Sequence, residues 1–160
     1  MKEDVTFSNY GKAFQETLSQ LIFEDRAFSE QMEEVLDINF FELKYLQEFV
    51  RLVFGYRHKY GVHPSEDIMS SIVRTEIDEE SDLIKKQLRD YFARSIATKV
   101  KDVDYIKETA LDFCKKQKLK EAMIKSVALL QRSSFGEIKT IIDEALKLGT
   151  DNKFGHDYKK

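Results

Sequence analysis

The side chains with the widest chemical reach are His58, His63 and Cys114, set among many carboxylates. A zinc site wants three or four protein ligands. His58 and His63 are five apart across a predicted helix end, and the one cysteine is distant, so they read as surface or capping histidines. A di-iron bundle needs Glu-x-x-His pairs. The residues three before His58, His63 and His156 are Gly55, Tyr60 and Lys153. Nucleophilic catalysis needs Cys114 or a serine beside an activating histidine. Cys114 follows Phe113 on an apolar helical face, the setting of a buried structural thiol. A P-loop requires two glycines five apart, then Lys and Ser or Thr, so that backbone N–H groups cradle phosphate. Gly11, Gly55, Gly61, Gly136, Gly149 and Gly155 never meet that spacing, nor that of the dinucleotide fingerprint. No catalytic, cofactor-binding or metal residue is assigned, and the chain reads as an interaction module.

The elements that would position any site are helices. Phe14, Leu18, Leu21 and Ile22 fall at i, i+4, i+7 and i+8, one helical face, after a polar stretch over 1–10 that reads as frayed. Phe28, Met32, Val35 and Leu36 repeat the spacing after a turn near Glu24-Asp25. A third helix is predicted from after Asn39 to about Tyr60, with Leu46, Phe49, Val50 and Val53 inward. Gly61 suits its end, and Pro64 bars continuation. Ser65 caps a short fourth helix carrying Ile68, Met69, Ile72 and Val73. The acidic stretch 76–82 leads into a fifth, with Ile84, Leu88, Tyr91 and Phe92. From Val103 to Arg132 no glycine or proline intervenes, so one helix of up to ~45 Å is expected. Ser134 and Glu137 form an S-x-x-E capping box for a last helix, ending at Gly149. The expectation is an all-α chain: a helical globule over 1–100, an antiparallel hairpin over 101–149, and a polar linker over 150–160.

Composition bounds the partners. The 26 basic and 29 acidic side chains give a net charge of −3, without the basic excess of duplex-DNA binders. With one cysteine no internal disulfide can form. The first ten residues lack a signal peptide's apolar core, and no apolar run approaches ~20 residues, so a cytoplasmic protein is expected. Lys115, Lys116, Lys118, Lys120 and Lys125 form a basic run answered nearby by Glu121; it reads as a solvated face, or as a patch for an acidic partner. A helix-turn-helix over Tyr60–Arg74 would put Glu66 and Asp67 where DNA should be met.

The last helix is more informative. Ile138, Ile141, Ile142, Ala145, Leu146 and Leu148 cover more than a single packing seam needs. Surplus apolar surface of that kind either packs back on the globule or marks a partner interface. With Ile106, Phe113, Met123 and Val127 of the long helix, this face is predicted to bury against a second copy.

Helix order and several strings resemble the N-terminal domain of DnaB-type replicative helicases. They are LIFEDRAF (21–28), DINFF (37–41), VFGYRHKYG (53–61), HPSEDIMSSIV (63–73) and the long helix around YIKETALDFCKKQKLKEAMIKSVALL (105–130). The helix over 134–149 resembles the family's return helix, and FGHDY (154–158) the linker of its phage branch. The resemblance implies a collar of a hexameric ring whose hairpins pair between subunits and which docks the primase. ATP, Mg and translocation on single-stranded DNA belong to a RecA-type motor that these 160 residues lack. A phage origin implies the host cytoplasm. The rival readings are a helical adaptor unrelated to replication and a small nucleic-acid binder using the basic run.

Overall fold

The computed structural model describes residues 5–77, 80–132 and 135–157. Among them the fold is all-α, with no strand. The helices are α1 (Gly11–Glu24), α2 (Arg26–Val35), α3 (Lys44–Tyr60), α4 (Glu66–Thr75), α5 (Asp82–Ala97), α6 (Val103–Leu130) and α7 (Phe135–Asp157). The chain divides into two compact units within α6, Met1–Ala110 and Leu111–Lys160.

Local chemistry sets the boundaries of the first unit. Asp25 closes α1, and its carboxylate accepts from the Phe28 backbone N–H at 3.0 Å to open α2. Ser65 and Ser81 do the same for α4 and α5, each at 3.2 Å. Gly61 ends α3 at φ 72°, a left-handed conformation that glycine takes without a Cβ penalty. Asp102 turns the chain into α6 at φ 56°, a region aspartate tolerates better than most residues.

Within this unit α1 packs on α2 and α3, and α3 on α4 and α5. Phe14, Leu18, Leu21 and Ile22 of α1 and Leu46, Phe49, Val50 and Val53 of α3 are all buried, as their spacing predicts. Rings concentrate at the centre: Phe49 meets Tyr91 edge-on at 5.2 Å between centroids, and Phe23 at 5.9 Å. Polar ties lock the helices in register. The Gln20 amide donates to the carbonyls of Ser95 and Thr98, both at 2.9 Å, joining α1 to the end of α5. Arg57 donates to Nδ1 of His63 at 3.0 Å and to Glu33 at 2.8 Å. A guanidinium only donates, so His63 is the Nε2–H tautomer, and that N–H reaches the Phe23 carbonyl. The histidine is a structural clasp across α1 and α3.

Three sequence expectations are corrected. Residues 5–10 are not frayed: Phe7–Tyr10 forms a 3-10 turn, and Phe7 is fully buried against Phe14, Phe40 and Phe41. The third helix starts at Lys44, since Asp37 first caps a 3-10 turn over Ile38–Phe40. And α7 passes through Gly149 to Asp157. A mid-helix glycine costs about 1 kcal/mol, too little to stop a helix that no proline interrupts. The expected capping serine, Ser134, and residues 78, 79 and 158–160 lie outside the described residues.

Candidate interaction surface

The second unit comprises residues 111–130 of α6, then α7. On α6 the buried side chains are Cys114, Ala122, Ser126 and Leu129. The last three recur at i, i+4 and i+7, so they form one face. Ser126 satisfies its hydroxyl by donating to the Ala122 carbonyl at 2.8 Å.

Beside that buried face runs an exposed one. Met123, Ile124, Val127 and Leu130 fall at i, i+1, i+4 and i+7, and each is more than half exposed, Val127 at 58%. Phe135, at the start of α7, is 72% exposed, and Leu146 of α7 is 50% exposed. Fully burying an Ile, Leu, Met or Val side chain contributes about 1.5–3 kcal/mol. The four α6 residues still hold about half of that in reserve. Covering the stripe on two copies would supply about 6–12 kcal/mol, comparable with the ~4–15 kcal/mol that association costs.

The predicted interface residues separate into three groups. Met123, Val127 and Leu146 are exposed. Phe113, Ile138, Ile141, Ile142 and Ala145 are half-buried, the α7 residues forming one stripe at i, i+3, i+4 and i+7. Ile106 is a correction: it is 7% exposed and belongs to the core of the first unit, which leaves it no surface to offer a partner. Ile124, Leu130 and Phe135 are exposed apolar residues that the prediction did not include. For the two on α6, their spacing from Val127 carried the signal.

The basic run does not form one face. At 100° per residue Lys116 and Lys120 lie in line with the exposed apolar stripe, whereas Lys115, Lys118 and Lys125 turn away from it. Lys116 also has a partner the sequence reading overlooked, Asp112 at i−4, with a 3.0 Å ion pair. Lys118 and Lys125 are exposed, and Lys115 and Lys120 half-buried.

No described helix is long and apolar enough to cross a membrane. The described residues contain no cluster of His, Cys, Asp and Glu that could hold a metal ion. What the described residues define is an all-α protein whose α6 carries an exposed apolar stripe. Comparison with protein-family models, curated proteins and solved structures finds no match to this chain.

Proposed function

We propose that this chain is the N-terminal assembly domain of a hexameric, phage-type replicative DNA helicase, joining subunits and docking the primase during DNA replication. The supporting observation is the exposed stripe of Met123, Ile124, Val127 and Leu130. It lies on the helix that resembles the family's intersubunit hairpin, where apolar side chains should meet those of another copy. The ordered strings over residues 21–73 support the same reading from the first unit. In this account α6 and α7 form the hairpin, and ATP, Mg and single-stranded DNA are handled by a motor domain of the parent protein.

Two arms test it. Sequencing the gene past Lys160 should reveal a Walker-type phosphate loop a short linker and one strand later. The purified chain should also bind the primase encoded in the same genome. An intact gene that stops soon after Lys160, together with no primase binding, would overturn the assignment.

A further inference from the structure

A second surface lies on the first unit and does not depend on the assembly reading. It is a hollow of about 680 Å³, in the size range of small-ligand sites. One wall is the row Tyr10, Thr17 and Gln20, along α1 and the turn before it, reaching ~15 Å. The other is the connection over 98–102 and the first turn of α6 with Tyr105.

Gln20 is the informative residue. Its side chain lines the hollow yet is only 6% exposed. The amide nitrogen is occupied by the Ser95 and Thr98 carbonyls, both at 2.9 Å, and by Glu24 at 2.8 Å. Those carbonyls only accept, so the nitrogen must face them and the orientation of the amide is fixed. Its Oε1 accepts no hydrogen bond among the described residues, and the chain does not seal it from solvent. A fixed acceptor of this kind selects a ligand that presents an N–H or O–H.

Two tyrosines supply flat surface. Tyr10 stacks on Phe14 at 4.7 Å between centroids, which backs one face of its ring, and the rest stays exposed. Tyr105 is 62% exposed. Exposed rings of this kind stack on planar aromatic ligands. On the connection, Lys99 and Lys101 are exposed and enter no ion pair among the described residues. Asp102 is the one carboxylate among the lining residues, so the lysines outnumber it two to one. The N–H groups of Val103, Asp104 and Tyr105 precede the first hydrogen bond of α6, from Ile106 to the Asp102 carbonyl. They add partial positive charge at the same end.

Stacking surface, a fixed acceptor and unpaired cations match an aromatic base that bears N–H groups and is joined to phosphate. We propose that this hollow binds a nucleotide. The base stacks on a tyrosine ring and donates an exocyclic N–H to Gln20 Oε1. The phosphates meet Lys99, Lys101 and the N-terminal end of α6. Phenylalanine and tyrosine rings carry no N–H, which places an acidic aromatic peptide behind a nucleotide.

The test follows amide shifts of the whole labelled chain at low salt, without magnesium, as ATP or a short deoxyadenylate strand is added. Both should perturb residues in 9–20 and 98–106, and the tighter binder identifies the source, free nucleotide or single strand. Purine riboside monophosphate, which is AMP without its amine, should bind more weakly than AMP. Ribose 5-phosphate, which lacks the base, should bind more weakly still. Tyr105→Ala and the double variant Lys99→Glu/Lys101→Glu change exposed side chains, and each should lower affinity about tenfold or more. Circular dichroism checks that both variants stay helical. Shifts absent from these segments up to about 1 mM ligand, or undiminished affinity in either variant, overturns the proposal. So does binding of AMP no tighter than that of either analogue, or an acidic aromatic peptide that binds here when neither nucleotide does.

Discussion

The Tyr45 hydroxyl donates to Glu16 Oε2 at 2.5 Å, on a carboxylate that Arg94 also grips at 2.9 and 3.1 Å. The Glu16 backbone carbonyl accepts from Tyr91 at 2.8 Å. One residue of α1 therefore ties down both α3 and α5, at the edge of the aromatic core.

This arrangement gives the fold an acid-sensitive tie. Burial alone would raise the Glu16 carboxyl, but hydrogen bonds from Arg94 and Tyr45, with the Arg94 charge, outweigh it and hold the group below its ordinary 4.5. Burial and the bond to Glu16 push the Tyr45 hydroxyl above the usual phenol range. A depressed carboxyl stabilises the fold fully above its unfolded value, and that contribution is lost as pH falls through the folded value. Asp25, whose carboxyl Lys107 and the Phe28 N–H hold down against burial, adds in the same direction. Glu16→Gln should cost about 0.5–2 kcal/mol at pH 7, discounted for the exposure of Arg94. Urea melts at pH 7 and in the acid range should show the variant's deficit shrinking as pH falls.

Phe7→Ala tests whether the N-terminal turn belongs to the core. Removing a fully buried phenylalanine leaves a cavity among Phe14, Phe40 and Phe41. The expected loss is about 3–5 kcal/mol, a large share of a small domain's stability. A loss below about 1 kcal/mol would mean that residues 5–10 contribute little.

Gly55→Ala should raise stability by about 0.5–1 kcal/mol, because the added methyl finds open space and the helix loses a flexible residue. Thermal denaturation measures it directly. Lower stability in this variant would show that the glycine serves the chain's own packing.

Much of the architecture was legible because its signals are local. Asp25 breaks and caps at one position, Ser65 follows Pro64, and Gly61 stands where α3 must end. The buried faces of α1 and α3 follow from the spacing of Phe14 to Ile22 and of Leu46 to Val53. Phe7 was not legible, since its partners Phe40 and Phe41 lie over thirty residues away and FSNY carries no period. The exposed apolar stripe was partly legible. Apolar spacing shows which residues of α6 share a side, but not which side the rest of the chain covers. That is why Val127 and Ile106 looked alike, although one is exposed and the other buried.

The central claim is that the stripe through Val127 joins copies of this chain. Sedimentation of the purified chain across roughly 1–100 μM, a range set by expected affinities, tests it against Val127→Asp, whose far-UV helicity should be unchanged. The account predicts that the unaltered chain self-associates and that Val127→Asp shifts it to monomer. A monomer throughout that range for the unaltered chain, or unchanged assembly in the variant, contradicts it.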